Sequence, residues 1–386
     1  MATLLVQVVA FAVRPATIYR GIEAGVPTAW LGVLSACFAL TPLLLAVPAG
    51  RVIDRVGERV VGVAGAGCLV VATGVLVVGG DAVVGLFAGT VLLGLGHLFS
   101  IIAQQTWVAN ADLGGSLDTA FGRYTFAASF GQSLGPGLLA VVGGTAVRPD
   151  TTPVLVSGLV LSAVLLAVVP WLRPAGPRGP GRPDGADAAP VTTWGLLRRP
   201  GVGQALVTSS VILAAVDVTL AYLPALGVER NIGAATVGTL LALRGVASMA
   251  SRLGLGRLVD RFGRKAVMVG FSCAAAVGLV LTAVPAPLAV LAVGVVVAGV
   301  GLGVGQPLTM SWLAETAPPG ARGRSMSLRL VGNRAGQVVI PSLAGAVAAG
   351  TGAAGVILMT AAAVGLVGVG ATRLPLGGRS AGSADA

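Results

Sequence analysis

Apolar residues run along this chain in blocks of about twenty, broken by short clusters of Gly, Pro and charge. A helix needs about 20 apolar residues to cross the hydrocarbon core of a bilayer. Dividing the chain at its punctuation predicts spans at 3–22, 28–49, 60–79, 82–108, 120–144 and 152–171, and again at 202–224, 234–254, 266–284, 287–313, 324–348 and 353–372. Six and six make twelve, an all-α membrane protein in two halves. Residues 1–171 form the N-terminal bundle and 202–373 the C-terminal bundle. Residues 172–201, containing RPAGPRGPGRPDGADAAP, read as a flexible linker ending in a short surface helix around Trp194–Arg199, and 374–386 as a disordered tail. The stretch opening near Met1 lacks a basic n-region and a clear cleavage site, so it reads as a retained first helix; its abrupt start leaves room for residues upstream.

Composition agrees with lipid as the solvent. Only 10% of the 386 residues are charged and 55% are hydrophobic, too few polar groups to clothe a water-soluble globule of this size. The 59 Gly residues suit helices that must approach closely without hydrophobic exclusion to drive them together. Net charge is +11, and all but one of the 25 basic residues are Arg. With the N-terminus inside, 18 of these fall in inner loops and the tail, while only Arg20, Arg148 and Arg230 fall outside. That asymmetry is a topology signal, with both termini cytoplasmic, and not a nucleic-acid footprint.

The two halves repeat. GRVIDRVGER at 50–59 recurs as GRLVDRFGRK at 256–265, an offset of 206. Gly94 and Gly96 recur as Gly299 and Gly301, and Trp107 as Trp312, at 205; Gly122, Gly131 and Gly135 recur as Gly323, Gly332 and Gly336, at 201. Landmarks in one order on equivalent helices indicate duplication, a transporter architecture.

These residues resemble the major facilitator superfamily over essentially the whole chain. The family's loop signature between helices 2 and 3, GxxxDRxGRR, is met by Gly50, Asp54, Arg55, Gly57 and Arg59, with Glu58 departing, and by Gly256, Asp260, Arg261, Gly263, Arg264 and Lys265. The resemblance implies a twelve-helix fold of two pseudo-symmetric bundles, alternating access, and a latch in which Asp54 faces the start of helix 11 and Asp260 that of helix 5. The other role for these charges is to set topology alone. Helix 5 resembles the family's antiporter signature through Gly122, Gly131, Gly135 and Pro136, with Leu139 and Ala140 in place of its last two Gly. This implies a drug:proton antiporter-like exporter. On helix 4, Thr90 and Leu93 stand where exporters of the family carry Arg and Gln.

Charges deep in spans are expensive and therefore candidates for function, roughly 2.5–3.5 kcal/mol each on insertion scales. Arg14, Arg244, Arg329, Arg334 and the one deep carboxylate, Asp217, are of this kind. Helices 1, 4, 7 and 10 line the cavity by the resemblance, which makes Arg14, His97, Gln104, Asp217 and Gln306 lining candidates, with Arg334 beside them. Asp217 is either the proton carrier or half of a structural Asp–Arg pair; His97 is a ligand group or a packing residue. Four span-embedded Arg against one Asp favour an anionic or zwitterionic small-molecule substrate.

Other chemistries are set aside. Gly131–Gly135 spells GxSxG, but inside a membrane helix without the strand–turn–helix of a hydrolase. There is no GxxxxGK[ST] string, one His, and no CxxC among Cys37, Cys68 and Cys273, so no enzyme, metal or cofactor is expected. The sequence reading is a monomeric secondary transporter of the cytoplasmic membrane, driven by the proton gradient, most simply an exporter of drugs or metabolites. Its alternatives are an inward symporter or facilitator for a nutrient and, further off, a receptor that binds without flux.

Overall fold

The computed structural model describes residues 1–110, 117–171, 195, 197–199, 201–316 and 322–372. The first half holds α1 (Ala2–Glu23), α2 (Thr28–Val56), α3 (Glu58–Gly79), α4 (Val83–Asn110), α5 (Leu117–Val142) and α6 (Thr152–Val168), the last followed by a 3-10 turn at Val169–Trp171. The second half holds α7 (Val202–Glu229), α8 (Ala234–Leu253), α9 (Leu255–Ala283) and α10 (Leu288–Thr316). A final helical stretch, Arg322–Thr372, breaks at Gly352 (φ 65°) into two arms, here α11 (322–351) and α12 (353–372). Among the described residues, 11 helices are long and apolar enough to span a bilayer. The remaining arm, α11, carries Arg329, Asn333, Arg334 and Gln337 in its interior. Most of the linker and the whole tail lie outside the described residues; 195 and 197 are helical.

The first helix of each half is the central one. The membrane-crossing window of α1 is 89% buried and that of α7 78%, against 33–56% for the other helices, whose outer faces meet lipid. Within the halves α3 packs on α4, α1 on α5 and α6, α9 on α10, and α7 on α11; the seam between halves is made by α2 with α11 and α5 with α8.

Backbone detail repeats with the sequence. After α1, Ala24 and Val26 N–H donate to Arg20 (2.9 Å) and Gly21 (2.8 Å) carbonyls; after α7, Arg230 and Ile232 donate to Leu226 (2.9 Å) and Gly227 (2.8 Å). Between them sit Gly25 (φ 76°) and Asn231 (φ 54°), the left-handed residue of a Schellman cap in each half. The duplicated motif turns in the same way twice, at Gly57 (φ 84°, ψ 162°) and Gly263 (φ 78°, ψ 153°). A Cβ at either would meet no neighbour, so the backbone conformation itself asks for Gly.

The expectation that the signature is a loop is corrected in both copies. Gly50, Arg51 and Arg55 are not in a loop but in the last turns of α2, and 255–262 is helical as well. Only one residue in each motif leaves the helical region, so a single Gly reverses the chain. We call the end of the bundle bearing Gly57 and Gly263 the motif face and the opposite end the far face. Arg55, Arg59, Asp260 and Arg261 are exposed on the motif face, while Gly50 and Gly256 have no near neighbour for a Cβ. The side chain of Asp54 and those at the starts of α5 and α11, Gly122 included, fall outside the described residues, so the expected latch does too.

The described seam contacts gather toward the far face. Ala234 and Ala235 N–H donate to the carbonyls of Ala146 (2.9 Å) and Gly144 (3.0 Å), and the Tyr222 hydroxyl donates to Thr28 O (3.4 Å). A side chain at Gly32 would strike the carbonyl of Pro341, and one at its mate Gly238 would come within 2.9 Å of the Pro136 carbonyl. The same end is stapled by charge. Arg230 donates to the carbonyls of Thr282, Ala283 and Val284 at the end of α9, and Glu229 accepts from Ala353 N–H (2.9 Å) at the start of α12. Cations suit helix C-termini and anions N-termini. In the loop before α6, the Thr152 hydroxyl and N–H hold the Asp150 carboxyl below its ordinary range.

Candidate functional site

Between the halves lies a cavity of about 230 Å³ with walls from α1, α2, α4, α5, α7, α8, α10 and α11. Its centre is an ion pair across the seam. Arg14 Nη1 donates to Asp217 Oδ1 at 2.8 Å, and the two side chains are 6% and 4% exposed. The second carboxylate oxygen of Asp217 accepts from Gln337 Nε2 at 2.7 Å, and Arg334 Nη1 donates to Gln337 Oε1 at 3.0 Å. Arg14 also reaches Ser35 Oγ at 3.4 Å and lies over the Phe38 ring, 4.4 Å from its centroid. Pro15 follows Arg14 within α1 and removes the N–H that would bond the Phe11 carbonyl, so the helix is interrupted beside the ion pair.

His97 packs against Phe38 with ring centroids 5.0 Å apart, and neither ring nitrogen has a partner among the described residues. Arg244 enters from α8; it is 3% exposed and its Nε is also without a partner there. Arg252 bridges the halves on the motif side, donating to Ser129 Oγ of α5 (2.7 Å) and to Gly303 O of α10 (2.9 Å). Gln306 donates to Ser209 O at 2.8 Å and accepts from Arg329, which ties α7, α10 and α11 into one unit.

Arg14, His97, Asp217, Gln306 and Arg334 therefore all sit on one cavity wall. Gln104 does not. Seven residues along α4 carry it about 10.5 Å toward the motif face, past the cavity, into a second pocket of about 190 Å³ with Met1, Glu58, Arg59, Ser100 and Trp107. Sharing a helix face with His97 was not enough, because α4 turns from the cavity to α1 and α3 over that length. The sequence reading missed Gln337, Ser129 and the bridging role of Arg252, which it counted as a loop charge. Gln337 was findable: it lies one turn after Arg334 on the same helix face.

The helix 5 glycines have a local explanation. A Cβ at Gly131 would lie 2.7 Å from Leu4 O, and one at Gly135 2.7 Å from Phe11 Cβ, so both let α5 close on α1. In the second half one glycine does likewise: a Cβ at Gly336 would lie 2.8 Å from Ser210 Cβ of α7, and Ser210 is the mate of Leu4 at the 206-residue offset. The 201-residue pairing of the helix 5 glycines is thereby corrected: Pro136 and Pro341 meet the mates Gly238 and Gly32, an offset of 205, so Gly336 answers to Gly131 and Ile340 to Gly135. Pro136 sits inside α5 at the seam with α8.

Duplicated six-helix halves around a buried, charged cavity, closed at one end, define a membrane transporter. The family model of the Major Facilitator Superfamily matches residues 1–230 and again 205–381, and the chain belongs to that superfamily. It is thus a multi-pass membrane protein of a transporter family. Among curated proteins it is similar to the arabinose-proton symporter of Bacillus subtilis (strain 168), 32% identical over 73 residues, which are 19% of this chain and 16% of that relative's length. Among solved structures it resembles a D-xylose-proton symporter (TM-score 0.77, 14% identity, 96% of each chain covered). It also resembles a mutant form of the nucleoside transporter NupG (TM-score 0.76, 13% identity, 96% of this chain and 99% of that one). At such identities the structures establish the fold. The exporter subtype expected from α5 finds no support among these relatives.

Proposed function

We propose that the protein is a proton-coupled symporter that carries a small polar solute by alternating access, with Asp217 as the proton carrier. The observation behind this reading is the Arg14–Asp217 pair at 2.8 Å. Arg14 belongs to one half and Asp217 to the other, and among the described lining residues Asp217 is the one carboxylate. A proton on Asp217 removes the charge that binds Arg14, so proton uptake loosens the halves at the midplane where they must rock. The charged and titratable groups around it are Arg14 on α1, His97 on α4, Arg244 and Arg252 on α8, and Arg334 on α11. A volume of about 230 Å³ is below the ~300–1,000 Å³ of drug-sized sites, so the solute is small. By the positive-inside asymmetry the motif face is cytoplasmic, and the state described is sealed outward. The kinship to sugar and nucleoside carriers, two of them proton symporters by name, weighs for inward symport.

Efflux by antiport is the second reading, favoured by Gly131, Gly135 and Pro136 on α5, although their packing against α1 and α8 accounts for them without coupling. Purified protein in vesicles with an imposed pH gradient separates the two. Symport predicts that solute and protons move in the same direction. Opposed movement would establish exchange, and solute movement unaffected by collapsing the gradient would end both.

A further inference from the structure

We infer that the solute is an oxyanion, a small organic molecule bearing a carboxylate or phosphate group, and that Arg244 is its anchor. This rests on the reading above that a small solute binds in the central cavity. Four guanidinium groups line the described wall: Arg14, Arg244, Arg252 and Arg334. One of them, Arg14, is neutralised by Asp217, whose two oxygens are already engaged by Arg14 and Gln337. Arg252 and Arg334 donate to neutral oxygens, on Ser129, Gly303 and Gln337. Arg244 is 3% exposed, and its Nε has no partner among the described residues. A buried, under-bonded guanidinium is unfavourable unless an anion completes it, and its planar fork matches carboxylate and phosphate geometry. His97, 5% exposed with both ring nitrogens free of partners among the described residues, adds a hydrogen-bonding group to the same wall.

The fold does not need this charge. In the other half the position equivalent to Arg244, at the 206-residue offset, is Phe38. A side chain at Gly94 would strike the carbonyl of Phe38, and one at Gly299 would come within 2.5 Å of the carbonyl of Arg244. The two backbones do the same packing work, and an apolar side chain serves in one of them. The guanidinium is surplus to packing. A cation solute would meet net positive charge, and a neutral one would leave the surplus uncompensated.

The test is ligand-induced stabilisation of the full-length protein in nanodiscs, without any gradient, at fixed ionic strength. The probes are small carboxylates from acetate to citrate, inorganic phosphate and simple phosphate monoesters, the neutral amides of the same carboxylates, and small ammonium ions. We expect at least one carboxylate or phosphate to raise the melting midpoint by a few degrees, while amides and ammonium ions do not. Arg244→Phe, which copies the mate residue and should fold, weakens that binding tenfold or more; Arg244→Lys restores part of it. Arg148→Gln, on an exposed loop, leaves it unchanged. Stabilisation by the carboxylate series or by the phosphate series supports the inference and identifies the group. No stabilisation by either, equal stabilisation by the amides, or unchanged affinity in Arg244→Phe overturns it. Anion binding without gradient-driven flux would count against symport and leave the anion site standing.

Discussion

Phe38 and Arg244 are pseudo-symmetry mates whose backbones receive the same glycine contact in the two halves and whose side chains differ completely. Phe11 and Asp217 are also mates at the 206-residue offset, as are Arg14 and Leu220. Duplication preserved the frame and released the cavity wall from it. Charges at 14, 217 and 244 are each matched by an apolar residue in the opposite half, so none is demanded by a shared packing role. Function is carried by the asymmetry.

Removing one member of the central pair should cost more than removing both. A buried charge left without its partner destabilises by about 3–5 kcal/mol, whereas replacing a whole buried pair is often close to neutral. Arg14→Leu and Asp217→Leu should each lower the melting midpoint of the purified protein more than the double substitution does. Additive losses would show that the pair is not coupled as its 2.8 Å contact implies.

Asp217→Asn should uncouple transport while sparing exchange. The amide keeps the shape and can still accept from Arg14, but it cannot take up and release a proton. Accumulation against a gradient should fall to background, with solute counterflow across equal concentrations retained within a fewfold. Undiminished gradient-driven accumulation in this variant would remove Asp217 from the proton path.

Glycine pairs at the helix contacts should be intolerant in both halves. A Cβ at Gly96 would lie 2.8 Å from Leu69 N, and one at the mate Gly301 would strike Ala275 N. Val at either position should destabilise by about 1–3 kcal/mol or more, as overpacking does. Gly67, where a Cβ meets nothing, should accept Ala with little change. Thermal denaturation in detergent reads all three, and a tolerated Gly96→Val would contradict the close approach of α3 and α4.

How legible this was depended on how local each signal is. Span lengths, topology and the repeat are written in runs of apolar residues and in motifs that align by simple offsets. Arg14, Asp217 and Arg334 were visible because a charge among twenty apolar neighbours needs no partner to be conspicuous. Gln104 was misjudged because face assignment on a straight helix ignores which neighbour lies alongside at each depth, whereas Gln337, on the face of Arg334, was overlooked because an uncharged amide is less conspicuous than the Arg beside it. Ser129 was invisible, since an ordinary Ser gains its place only when Arg252 arrives from 123 residues away. The α5 motif was misleading for a related reason: Gly131 and Gly135 serve the contact of α5 with α1, and Gly336 serves the matching contact of α11 with α7, so the string reports packing as much as coupling.

Alternating access requires the far face to open, and that can be blocked at one point. Ala234 N–H donates to the Ala146 carbonyl at 2.9 Å, which holds the two Cα atoms within reach of a disulfide between Cys residues placed at both positions. In a background with Cys37, Cys68 and Cys273 replaced, Ala146→Cys with Ala234→Cys should cross-link under mild oxidation, joining the α5–α6 connection of one half to the start of α8 in the other. Transport should then fall at least tenfold and return on reduction, while either single substitution transports normally. If the cross-linked protein, verified by its altered mobility, carried solute at the uncross-linked rate, the two halves would not separate at the far face during the cycle, and a rocking mechanism would have to be abandoned.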